Sequence, residues 1–175
     1  MKITYYVHGT TYDNASKCAS GWKDVELNEQ GKEQALNLGK KTPYKFNILY
    51  TSDLTRTITS AKLAFPEFEP FTDTRLRECN YGTLDGKNRE LVNYEEHINK
   101  PFPNGESLLD VEKRVRDFLE YLKYKCNDKI VGIIAHRAPQ LALEVITKNI
   151  SWEKAIKNDW RKTGDWMPGW EYIFK

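Results

Sequence analysis

Ile130-Val131-Gly132-Ile133-Ile134-Ala135-His136-Arg137-Ala138-Pro139 is the stretch that decides the fold. Its first part, Ile130–Ala135, is an unbroken apolar run without polar alternation. That is the pattern of a strand buried on both faces, as in parallel sheets covered by helices on either side. A helical segment, Ala138–Lys148, follows at once, with Pro139 in its first turn, where a missing N–H is tolerated. His136 and Arg137 therefore stand at a strand-to-helix junction.

The rest of the chain alternates in the same way. Ile3–Val7 reads as a strand, and Asn28–Lys40 as a helix that starts at a capping Asn and spaces Ala35 and Leu38 helically. Phe46–Thr51 is a second strand. Ser52 and Asp53 then offer a cap for a helix carrying Leu54, Ile58, Ala61 and Leu63 up to Pro66. A short extended piece, Glu69–Thr72, precedes a loop containing Arg75–Gly86. Ser107–Lys125 carries one apolar stripe through Leu108, Val111, Val115, Phe118, Leu119 and Leu122, capped by Ser107. Trp170–Phe174 reads as an edge strand. This alternation predicts an α/β fold of three layers, a mainly parallel central sheet with helices on both faces, in a single domain over residues 1–175.

Sites in such sheets lie beyond the C-terminal ends of strands. That rule selects His8-Gly9-Thr10-Thr11 after the first strand, Ser52, Asp53 and Arg56 after the second, and His136-Arg137 after the apolar run. Two histidines thus leave different strands at one sheet edge. The third, His97, lies in a polar stretch and is expected to be solvated. Gly9 permits close backbone approach, and Thr10, Thr11 and Asn14 add donors to the turn. Arg56, about one turn into its helix, has a fork that matches phosphate geometry. Glu78 directly follows two candidates for ion pairing, Arg75 and Arg77.

Composition sets the bounds. The 175 residues are 39% hydrophobic and 30% charged, too apolar for a disordered chain and too mixed for a coiled coil. No run approaches the ~20 apolar residues that span a bilayer, so no membrane role is expected. The start, Met1–Val7, lacks the apolar stretch and cleavage site of a leader, which points to a cytosolic protein. A net charge of +2 with no long Lys/Arg run argues against nucleic acid but leaves room for a small anion. Cys18, Cys79 and Cys126 are scattered and odd in number, which argues for reduced thiols. No His-x-x-x-His and no carboxylate cluster beside a histidine suggests a metal.

Taken in order, these residues resemble the histidine phosphatase family, the phosphoglycerate-mutase-like fold. His8, Gly9, Thr11 and Asn14 are similar to its first block. Ser52-Asp53-Leu54-Thr55-Arg56-Thr57-Ile58-Thr59-Ser60-Ala61 resembles its Ser-x-Leu-x-Arg-Ala-x-x-Thr-Ala. Leu76-Arg77-Glu78-Cys79-Asn80-Tyr81-Gly82-Thr83-Leu84-Asp85-Gly86 resembles its Leu-x-Glu block. Gly105-Glu106-Ser107 and Ile133-Ile134-Ala135-His136 supply the last two. Two positions depart from the family pattern. Val7 stands where an arginine normally precedes the nucleophile, and Arg137 stands where glycine is common.

The resemblance implies a metal-independent and cofactor-free phosphomonoesterase acting on a small phosphorylated metabolite. His8 would be the nucleophile that becomes a phosphohistidine, and Glu78 the proton donor. Arg56 and His136 would join them in catalysis, with Gly9, Thr11, Asn14 and Arg137 as substrate-binding groups and Arg137 partly replacing the absent arginine. Mutase-type phosphoryl transfer and non-catalytic binding of a phospho-ligand are the alternatives; oligomeric state is left open. The aromatic Trp152, Trp160, Trp166, Trp170 and Tyr172 read as a cover over the sheet with an edge strand, or else as a pocket wall.

Overall fold

The computed structural model describes residues 1–41, 46–126, 129–163 and 169–174. In chain order these form β1 (Lys2–Val7), α1 (Tyr12–Ala15), α2 (Glu29–Lys41), β2 (Ile48–Thr51), α3 (Thr55–Ala64) and β3 (Phe71–Thr72). Short 3-10 turns lead to α4 (Leu108–Cys126), β4 (Ile130–Ala135), α5 (Arg137–Lys148), α6 (Trp152–Lys157) and β5 (Trp170–Ile173). The sheet order is β3-β2-β4-β1-β5. β1, β2, β3 and β4 run parallel, and β5 is antiparallel to β1 at the edge. The expected mainly parallel sheet with helices on both faces is the observed architecture.

Strand side chains alternate between two cores. Ile3, Tyr5 and Val7 of β1 and Val131, Ile133 and Ala135 of β4 face the stripe of α4 together with α5 and α6. Tyr6, Leu49 and Ile134 face the other way, onto Leu38 of α2 and Ala61 and Ala64 of α3. β4 lies between β2 and β1, which is why its sequence is apolar at every position. Gly132 breaks that run for a steric reason: a Cβ there would come within 2.7 Å of the Phe46 ring.

Ser107 caps α4 as its sequence predicts, its Oγ accepting from the Asp110 N–H at 3.2 Å. The cap expected for α3 is different. Leu54 is its N-cap residue and offers no side-chain bond. The Thr55 N–H instead donates to Asp24 Oδ1 at 2.9 Å, while Asp53 is held by the Arg77 fork at 2.7 and 2.5 Å. A bidentate guanidinium is a stronger partner for Asp53 than a backbone amide, and Asp24 takes over the helix end. Among the described residues, no helix is long and apolar enough to cross a membrane.

Candidate active site

β1 ends at Val7, so His8 emerges at the C-terminal sheet edge, its N–H still bonded to Ala135 O at 3.2 Å. The residue is 7% exposed. Its Nδ1 lies 2.7 Å from the Gly9 carbonyl, which can only accept, so Nδ1 carries the proton. Nε2 then keeps its lone pair and has no hydrogen-bond partner among the described residues. Burial, followed by the charge of Arg56, pushes the His8 imidazole down to about 3, so the ring is neutral at every ordinary pH.

His136 caps the C-terminal end of β4. The Tyr5 hydroxyl accepts from its N–H at 2.9 Å and donates to its carbonyl at 2.6 Å. Nε2 lies 2.7 Å from Ser52 Oγ, so β2 fixes the ring from the other side. The two imidazoles stand 5.1 Å apart, edge to face at 64°. Burial first, and then Arg56 and His8, lower the basicity of His136 well below its ordinary value. His136 is fully covered, and the cavity wall does not include it. It meets the site through His8.

Arg56 follows the second strand and is 1% exposed. Its Nη atoms donate to Lys23 O at 3.0 Å and Gly21 O at 2.7 Å. Nε is buried with no protein partner among the described residues. Burial draws the guanidinium below its ordinary value.

Glu78 comes from the loop between β3 and α4. Oε1 accepts from the N–H of Cys79 and of Ala138, both at 2.9 Å, and Oε2 accepts from the Arg137 N–H at 3.2 Å. The carboxylate therefore satisfies the first amides of α5, where a negative charge is favoured by the helix dipole. The ion pairs that Arg75 and Arg77 offered to Glu78 do not form, because these arginines bind Asp73 and Asp53.

His8, Arg56, Glu78, Asn14 and Arg137 line a cavity of about 730 Å³. That volume is within the range of small-molecule sites and exceeds what a phosphoryl group needs. Gly9 and Thr11, expected among the substrate-binding groups, do not face it. A Cβ on Gly9 would meet the Gly31 carbonyl at 2.3 Å, so this glycine serves the close approach of α2. Thr11 is fully buried, and its Oγ1 caps α1 by accepting from the Asn14 N–H at 3.0 Å. Arg137 lines the cavity, but its Nε donates to Asp159 at 2.6 Å and its guanidinium lies 4.0 Å above the Tyr94 ring. His97, expected in solvent, is half-buried and stacks on Phe102 with centroids 3.8 Å apart.

The aromatic C-terminal segment divides between the two roles expected of it. Trp152 is buried in the core beside α5, Tyr172 lies on the edge strand, and Trp160 lines the cavity. Trp166 lies outside the described residues.

Some site groups carry no local sequence signal. Arg114 of α4 grips Glu106 at 2.8 Å and donates to the carbonyls of Arg75, Arg77 and Glu78 at 2.6, 2.7 and 2.9 Å, which fixes the loop that presents Glu78. The one hint was an arginine beside the apolar stripe of α4 with Glu106 upstream. Arg161 also lines the cavity, on the turn Trp160–Thr163, and nothing near it in sequence points there.

The arrangement places a neutral ring nitrogen, a buried cation and a carboxylate around one cavity. The family model "Histidine phosphatase superfamily (branch 1)" matches residues 6–163. The 2,3-bisphosphoglycerate-dependent phosphoglycerate mutase of Bartonella bacilliformis is 31% identical over 169 residues, covering 85% of this chain and 82% of the relative. That of Bartonella tribocorum is 31% identical, with 87% and 84% covered. Among solved structures, TTHB049 from Thermus thermophilus aligns with a TM-score of 0.71 at 29% identity over 85% of both chains. The alpha-ribazole phosphatase from Shigella flexneri aligns at 0.78 over 90% of this chain and 84% of its own, and its 22% identity speaks to the fold. With a matching fold, the family's residue blocks drawn to one sheet edge, and a model match over most of its length, the chain belongs to the histidine phosphatase superfamily.

Proposed function

We propose that the protein is a metal-independent phosphomonoesterase that hydrolyses a small phosphorylated metabolite through a phosphohistidine. The observation that carries this reading is the ring of His8, whose Nδ1 lies 2.7 Å from the Gly9 carbonyl. Its Nδ1–H is committed to the Gly9 carbonyl, which leaves the Nε2 lone pair for the cavity. An imidazole held neutral is a competent nucleophile.

In the first step, Nε2 attacks phosphorus as the ester P–O bond breaks, and the departing alkoxide takes a proton carried by Glu78, which enters the cycle as the carboxylic acid and leaves this step as the carboxylate that the α5 amides hold. In the second, water attacks the phosphoryl group, the N–P bond breaks, and Glu78 accepts the water's proton. Arg56 faces the charge that develops on the equatorial oxygens, and its spare Nε–H can donate to one of them. Asn14, in the cavity wall, is a further donor. His136 stands behind His8 as a second buried ring, 5.1 Å away.

The names of the relatives favour one other reading, mutase-type transfer between phosphorylated acids. Incubation with an aryl phosphate, with and without a chelator, separates the two. Chelator-insensitive release of phosphate together with an acid-labile phosphoenzyme, lost by at least ~10³-fold in His8→Ala, is the expected result. Turnover only in the presence of a bisphosphate primer supports the mutase. Near-full activity of His8→Ala ends both readings.

A further inference from the structure

The charges around the cavity are unevenly committed. Arg56 has one N–H of each Nη tied to a backbone carbonyl, and its Nε–H is buried without a partner among the described residues. Arg137 is neutralised by Asp159, itself 3% exposed, and lies flat on Tyr94. Val7 adds an apolar stretch of wall beside His8. A phosphoryl group brings about two negative charges into this space. The cations met so far leave it short of a counter-charge.

Two wall cations remain, Arg89 and Arg161, and of these the charge felt by both His8 and His136 is that of Arg161. Arg161 lines the cavity, and no carboxylate pairs with it among the described residues. The contact its guanidinium makes is with the Trp160 ring, 5.8 Å from the centroid. Its backbone is anchored: Asp159 Oδ1 accepts from the Arg161 N–H at 3.0 Å, while the other oxygen of the same carboxylate holds Arg137. One buried acid thus joins the start of α5 to the turn that carries Arg161. The charge of Arg161 reaches both imidazoles, where it disfavours protonation of His8 and of His136.

We propose that Arg161 is a phosphate-binding residue of this cavity, supplying the exposed second guanidinium that closes over the phosphoryl oxygens opposite Arg56. The proposal rests on the phosphatase reading for its chemistry, but its test does not need turnover. Arg137, by contrast, is spent in holding the turn.

Calorimetric titration of inorganic phosphate and of vanadate into the wild-type protein, Arg161→Gln, Arg161→Lys and Lys162→Gln tests this. Loss of one charge-assisted contact pair is expected to weaken phosphate about tenfold to a hundredfold in Arg161→Gln. Arg161→Lys should recover part of the loss, and Lys162→Gln, an exposed cation on the same turn, should stay within about twofold of wild type. Wild-type affinity in Arg161→Gln, an equal loss in Lys162→Gln, or no phosphate binding by the wild type overturns the proposal. If Arg161→Gln loses phosphate while the wild type never forms a phosphoenzyme, the hydrolytic reading fails and the anion site stands. If the phosphoenzyme forms and Arg161→Gln binds phosphate normally, this inference alone fails.

Discussion

Acidification should expose the cost of holding His8 neutral. An imidazole in the unfolded chain titrates near 6.5, and in the folded protein His8 is pushed down to about 3 by burial and by Arg56. Between those values the unfolded chain binds more protons than the native one, so native stability falls as pH falls. Above 6.5 His8 contributes no penalty. Each unit of separation is worth about 1.4 kcal/mol, so lowering the pH from 6.5 to 5 should remove about 2 kcal/mol through this group alone. The perturbation is His8→Gln, which keeps an amide N–H for the Gly9 carbonyl and cannot titrate. The assay is urea unfolding of both proteins at pH 7, 6 and 5, read as the difference between them so that common carboxylates cancel. The wild type should lose about 2 kcal/mol more than the variant by pH 5. His136 is lowered in the same direction, partly by His8, so the coupling can only widen the gap. Parallel loss in the two proteins would refute the claim that the fold keeps His8 deprotonated.

Three further outcomes follow from the geometry. Glu78→Gln should slow poor leaving groups far more than activated aryl phosphates in steady-state assays, since only the former need a proton; equal losses would assign Glu78 to capping α5 alone. Gly9→Ala should cost about 1–3 kcal/mol in denaturant unfolding, because its Cβ would press on the Gly31 backbone, and unchanged stability would mean that α2 can shift freely. Arg114→Met should destabilise by about 3 kcal/mol, since Glu106 and three carbonyls lose one shared donor. A phosphatase assay on the surviving folded Arg114→Met should show its largest loss with poor leaving groups, as for Glu78→Gln.

What was legible in the sequence followed from local pattern. The apolar run of β4 announced a doubly covered strand, and the strand-end rule alone was enough to bring His8 and His136 to one sheet edge. Glu78 and Arg56 were legible as candidates through their blocks. The groups that went unread act across long separations. Asp24 caps a helix that starts at Thr55, and Asp159 holds Arg137 from beyond α6. No periodicity encodes such partners, because each is chosen by which loop the sheet order happens to bring near. Gly9 and Thr11 carry structural roles that their blocks did not announce. The glycine serves backbone packing against Gly31, and the hydroxyl serves a helix cap.

The position of β1 sets an order of events during synthesis. Both of its neighbours in the sheet, β4 and β5, come later in the chain, and Lys2 pairs with Ile130 on one side and Ile173 on the other. A nascent polypeptide therefore carries β1 without any strand to pair with until β4 has left the ribosome. Pairing of such distant segments is slow, because a long loop must close before the contact rewards it. Until then His8 lacks the sheet that buries it. It becomes a buried, neutral imidazole when β4 docks and brings His136 to its side.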